Sequence, residues 1–202
     1  MIQFLSEKTA RYLATGDDTA DIEVLTYGYY MFYQQWVTVL VILLASLPFG
    51  LFPLVLASLV TSMVLRGCVG GTHARHPVVC KVTTFVLAFV PAVLAGVFAV
   101  RFVLAIIAVI YLLSLALVLK YAPGETHVTK FRDPRVRKRL KIESIVWVSV
   151  FCLAAALLNG RLPAIAFTVA VTTFSTTFLT HPLSYRLFGF DPVTKEAVKS
   201  RR

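Results

Sequence analysis

Residues 24–65 read VLTYGYYMFYQQWVTVLVILLASLPFGLFPLVLASLVTSMVL, 42 positions without an Asp, Glu, Lys or Arg. One helical crossing of a bilayer takes roughly 20 apolar residues, so this run holds two spans. Pro48, Gly50 and Pro53 mark the break, which sets the first span at 26–47 and the second at 50–65. Working outward, 82–100 makes a third span, Arg101 interrupts, and 102–119 makes a fourth. A fifth covers 144–160, ending at Asn159-Gly160-Arg161, and a sixth covers 162–181. With 58% apolar residues and a mean hydropathy of +0.79, the composition is not that of a soluble globular domain. An open sheet leaves backbone groups unsatisfied in lipid, so the spans are helices. The sequence predicts an all-α integral membrane protein of six spans, folded as one domain over residues 1–202.

The start, from Ile2 to Asp18, carries charges through its length and does not read as a cleavable signal peptide. Within residues 1–23, Ile2, Leu5, Tyr12 and Leu13 oppose Glu7, Lys8 and Arg11, a pattern suited to the membrane surface. Tyr27, Tyr29, Tyr30, Phe32, Tyr33 and Trp36 then read as an interfacial aromatic belt. For six spans, the termini and the second and fourth connecting loops share one side of the membrane. That side holds eighteen of the twenty Lys and Arg residues, with only Arg101 and Arg161 outside it. Basic residues concentrate on the cytosolic side, so both termini and the loop at 66–81 are expected there.

The fourth loop, from Lys120 to Lys141, carries eight basic residues against Glu125 and Asp133. Topology and anionic lipid headgroups account for part of this charge. An acidic peptide is a reasonable partner for Arg135, Arg137, Lys138 and Arg139, because a cationic patch concentrates it and holds its register. Nucleic acid is not expected, since the cluster lies between membrane spans and has only Tyr121 and Phe131 as aromatics.

Chemistry concentrates in Arg66-Gly-Cys-Val-Gly-Gly-Thr-His-Ala-Arg-His-Pro-Val-Val-Cys80. A thiol needs a base to become a thiolate at neutral pH, and His73 and His76 both lie close in sequence to Cys80. Pro77 suits the first position of a helix, which would put Cys80 in the first turn, where the helix dipole favours an anion. Gly67, Gly70 and Gly71 permit close approach of a substrate chain, and their N–H groups could hold an oxyanion. Spacing alone does not choose between the two histidines. Cys152, in an apolar stretch, reads as a small buried hydrophobe.

Other chemistries have less to stand on. No acidic residue lies inside a predicted span, Glu143 being at an edge, which removes a paired-aspartate intramembrane protease and weakens an ion-coupled transporter. No His-Glu-x-x-His or Gly-x-Ser-x-Gly occurs. Cys68, His73, His76 and Cys80 could in principle hold zinc, but their spacing is not a recurring zinc pattern, and neither a metal nor another cofactor is expected. A metal-binding membrane sensor and a small multi-pass exporter without protease activity are the competing function classes.

The order Arg66-x4-Gly71-x-His73-x6-Cys80 after two spans resembles the accessory gene regulator protein B family, AgrB. The likeness extends to chain size, to six spans, and to Tyr121-Ala-Pro followed by a basic loop. It implies a membrane cysteine endopeptidase that processes a quorum-sensing propeptide, AgrD, with an amphipathic leader, a signal region and an acidic tail. It further implies that Cys80 is the nucleophile, that His73 activates it, and that Arg66 and Gly71 support the site. His76 then stands as the alternative base, and Cys68 as a second thiol. A cell-membrane location follows, with a homodimer compatible with it.

Overall fold

Proline marks the first turn of five helices, through Pro53, Pro77, Pro134, Pro163 and Pro182. At that position the missing N–H is not needed and the fixed φ is already helical. The computed structural model describes residues 2–13, 19–70, 77–97, 103–124 and 133–187. They form α1 (Ile2–Leu13), α2 (Thr19–Ser46), α3 (Phe52–Val69), α4 (Pro77–Val97), α5 (Val103–Tyr121), α6 (Pro134–Leu158), α7 (Pro163–Phe178) and α8 (Pro182–Leu187). No strand occurs among the described residues, only an isolated bridge between Gly70 and Gly124. The protein is an all-α membrane protein.

Five of these helices are long and apolar enough to cross a membrane: Ile22–Ser46, Phe52–Val69, Val78–Gly96, Val103–Tyr121 and Pro134–Leu158. They correspond to the first five spans expected from sequence. The sixth corresponds to α7, an apolar helix of 16 residues, about 24 Å long at 1.5 Å per residue. Several helices begin outside their hydropathic windows. α6 starts at Pro134 rather than 144, because Asp133 caps it by accepting from the Arg135 N–H at 2.8 Å and the following Arg and Lys residues are good helix formers. α4 starts at Pro77 rather than 82, and α3 continues past Arg66 to Val69.

The chain divides into two compact units, Met1–Leu47 and Pro48–Arg202. In the first, α1 packs on α2 through its small buried residues Ser6 and Ala10, and Thr9 Oγ1 lies 3.0 Å from the Tyr33 hydroxyl. The opposite side of α1 leaves Phe4, Tyr12 and Leu13 exposed, as an interfacial helix would.

In the second unit α7 is the hub, packed against α3, α4, α5 and α6. α3 also meets α4 and α6, and α5 meets α6. α7 suits this place because three of its threonines return their hydroxyls to its own backbone, while Thr176 Oγ1 is buried without a hydrogen-bond partner among the described residues. Thr168, Thr173 and Thr177 are buried and return their hydroxyls to the carbonyls of Ala164, Val169 and Thr173 at 2.8–3.0 Å. Ser58 of α3 donates to the Leu87 carbonyl of α4 at 2.9 Å, so at the 2.7 Å contact with Thr172 it is Thr172 that donates. This tie joins α3, α4 and α7 at mid-height, where polar contacts between membrane helices contribute about 0.6 kcal/mol each.

One end of this unit gathers the parts that matter for function. Gly124 N–H donates to the Val69 carbonyl at 2.9 Å, which brings the turn after α5 against the end of α3. Lys141 Nζ of α6 donates to the Leu119 carbonyl at 2.6 Å. His181, just beyond α7, stacks on Phe178 and meets Tyr121 edge-on. Beneath them lies a core of Leu65, Val69, Val118, Ala122, Val148 and Cys152. The ends of α3, α5 and α7 and the start of α6 therefore share one end of the bundle.

Candidate active site

Cys80 is the fourth residue of α4, in its first turn, and is half-buried. Unpaired backbone N–H groups cluster in such a turn, and they favour an anion there. Arg66 approaches from the last turn of α3 and lies within electrostatic reach of the Cys80 sulfur. Its Nη1 donates to Thr84 Oγ1 at 3.5 Å, and that hydroxyl donates in turn to the Cys80 carbonyl at 3.0 Å. The guanidinium of one helix is thus tied, through Thr84, to the backbone of Cys80 on the next. Gly71, His73 and His76 lie outside the described residues, so the Arg66–Cys80 pair is the described part of the predicted site.

Cys68 sits two residues beyond Arg66, and a helix turns about 200° over that step, which directs it elsewhere. Its thiol lies within reach of the Glu143 side chain of α6. Glu143 also accepts from Arg139 Nε at 2.7 Å. Among the described residues no group of three potential metal-ligating side chains converges. Cys152 is buried in the apolar core, as its sequence surroundings led us to expect.

The basic residues of α6 form a surface of their own. Arg135, Arg137, Lys138 and Arg139 are exposed on its first turns. Arg135, Lys138, Arg139, Ile142 and Glu143 line an open cleft of about 460 Å³. Glu143, which lines that cleft, also neighbours Cys68 at the end of α3.

Sequence reasoning missed three participants. Thr84 is one helical turn beyond Cys80, and that spacing could have pointed to it. Glu143 was noted only as an acid at the edge of a span. Gly70 was one of three interchangeable glycines, but its φ of +68° and its abutment on Gly124 single it out.

A family model described as Accessory gene regulator B matches residues 6–180. The chain belongs to the accessory gene regulator B family. No curated protein and no solved structure matches it. The AgrB match runs from α1 to the end of α7, so it takes in both halves of the Arg66–Cys80 pair. AgrB membership makes this a quorum-sensing accessory protein of a protease-like family, and its apolar helices agree with a membrane location. It also points to an AgrD-type propeptide as partner.

Proposed function

We propose that this AgrB protein is a membrane cysteine endopeptidase that removes the acidic C-terminal tail of an AgrD-type propeptide and supports its cyclisation. The observation that carries this reading is the link from the Arg66 guanidinium of α3, through the Thr84 hydroxyl, to the backbone of Cys80 in the first turn of α4. The thiolate is the nucleophilic form of Cys80. His73 is the base that takes the thiol proton, with His76 as the alternative, and Gly71 lets the substrate chain approach.

Cys80 thiolate attacks the carbonyl at the junction of signal region and tail. Arg66 and the N–H groups of the loop stabilise the oxyanion. The C–N bond breaks, His73 gives its proton to the departing amine, and the signal region remains as a thioester on Cys80. A thiol or hydroxyl within the signal region then loses its proton to His73 and attacks that thioester. The ring closes as a thiolactone or lactone, and Cys80 leaves as the thiolate. Water competes for the thioester, so holding the internal nucleophile close decides the product by its effective concentration. The exposed cations of α6 are suited to the acidic tail, and the site faces the cytosol in this scheme.

The test is tail release from an AgrD-type propeptide by the purified protein in lipid. Cys80→Ala and Cys80→Ser are expected to reduce cleavage at least about a thousandfold, a loss typical of removing a covalent nucleophile. Cleavage retained by Cys80→Ala sinks the thiol mechanism. Tail release lost in His76→Ala but kept in His73→Ala moves the base to His76. Stoichiometric zinc that disappears with Cys68→Ala would favour a metal-binding role instead.

A further inference from the structure

The charged surroundings of Cys80 can be enumerated helix by helix. α4 packs against α3 and α7. α7 has no titratable side chain, and α3 has only Arg66 and Cys68. On α4 itself the titratable groups are Cys80 and Lys81, and Lys81 is exposed. Cys68 is engaged by Glu143 of α6. Among the described residues, Arg66 is therefore the cation that a neighbouring helix presents to the start of α4.

An arginine in the last turn of a helix would ordinarily extend along its stem towards water. Here something draws it across to α4 instead. Thr84 is 8% exposed, and its hydroxyl commits its single proton to the Cys80 carbonyl at 3.0 Å. Only lone pairs then remain, and they point to a donor; Arg66 Nη1 fills that role at 3.5 Å. The distance is at the long end for a hydrogen bond, so the guanidinium keeps its other N–H groups for a second partner. Arginine offers five N–H groups in a flat fork, so one can be held by Thr84 while others face Cys80.

We infer that Thr84 is a positioning residue: it holds the Arg66 guanidinium against Cys80, one turn below the thiol, so that the charge is in place before substrate arrives. The inference rests on the peptidase reading of Cys80 for its catalytic consequence, but the placement of the charge can be measured without substrate. The thiolate is the form that alkylates, so the rate of iodoacetamide reaction at Cys80 against pH reports how well it is stabilised. Peptide-level mass spectrometry separates Cys80 from Cys68 and Cys152.

Thr84→Val keeps shape and removes the acceptor. It is expected to slow Cys80 alkylation about threefold at neutral pH and to move the profile to higher pH, while the limiting rate at high pH does not fall, since a more basic thiolate is the better nucleophile. Thr84→Ser keeps the hydroxyl and should follow the unsubstituted protein. Arg66→Gln should shift the profile as Thr84→Val does, and the double variant should add little, since both remove one charge from one place. Thr84→Ala serves in place of the valine variant should that one not survive purification. An unshifted profile for Thr84→Val or Thr84→Ala overturns the inference, as does a shifted one for Thr84→Ser or an additive double variant. If the unsubstituted protein releases no propeptide tail while the Thr84→Val shift is seen, the peptidase reading fails and the positioning role stands.

Discussion

Gly70 shows how much one backbone angle can decide. It closes α3 at φ +68°, a region that L side chains rarely occupy. A Cβ built there would lie 2.6 Å from the Gly124 carbonyl oxygen, a backbone atom that cannot swing aside as a side chain would. Gly70 therefore serves two needs at once: it ends α3 in a conformation closed to other residues, and it lets the turn after α5 close against Val69. Gly70→Ala should cost roughly 1–3 kcal/mol through strain and forced separation. The expected outcome is a lower unfolding midpoint in detergent, together with reduced tail release. Gly67→Ala is the control, because nothing lies within 4 Å of a Cβ there and the residue is helical. If both variants unfold alike, the Gly70–Gly124 abutment is not what holds this end together.

Among elements, α6 combines two roles that the sequence presented as one charge run. Its first turns expose cations to solvent, while Glu143 and Lys141 reach inward to Cys68 and to the end of α5. Hydropathy located the lipid-immersed part of α6 but not its start at Pro134, since a window for apolar residues does not register a capped, basic helical turn. For the same reason the six apolar segments were legible while the roles of their neighbours were not. The approaches of Arg66 to Thr84 and of Glu143 to Cys68 are interhelical, and no local pattern encodes those. α7 likewise read as one more span, although its threonines make it the buried hub. The division within α6 is testable. Arg135→Gln with Lys138→Gln changes exposed cleft residues and leaves the Arg139–Glu143–Cys68 chain intact. Propeptide processing should fall roughly two- to tenfold at low salt, the range for two exposed charge contacts. The difference should shrink as salt shortens the screening length to a few ångströms. A loss that is independent of salt would mean that these cations do not meet the tail by charge.

At the scale of the whole molecule, the contacts at this end of the bundle bear on which side of the membrane it faces. The Gly124–Val69, Lys141–Leu119 and Tyr121–His181 contacts place the ends of α3, α5 and α7 with the start of α6. α6 then runs 25 residues, about 37 Å, to the Asn159–Leu162 turn, which must lie at the other end. Basic residues divide unequally between these ends, with Arg161 in the far turn and the α6 cations at the near one. The positive-inside tendency therefore predicts that the Cys80 end lies on the cytosolic side. In a background with Cys68, Cys80 and Cys152 replaced by Ala, Lys138→Cys and Asn159→Cys report the two ends separately. A membrane-impermeant maleimide should label Asn159→Cys in intact cells and Lys138→Cys only in inverted vesicles. The opposite pattern would put the Cys80 end outside the cell, and a propeptide made in the cytosol would then have to cross the membrane before its tail could be cut. Labelling of both positions from one side would mean that α6 does not cross, which its length and its opposed ends argue against.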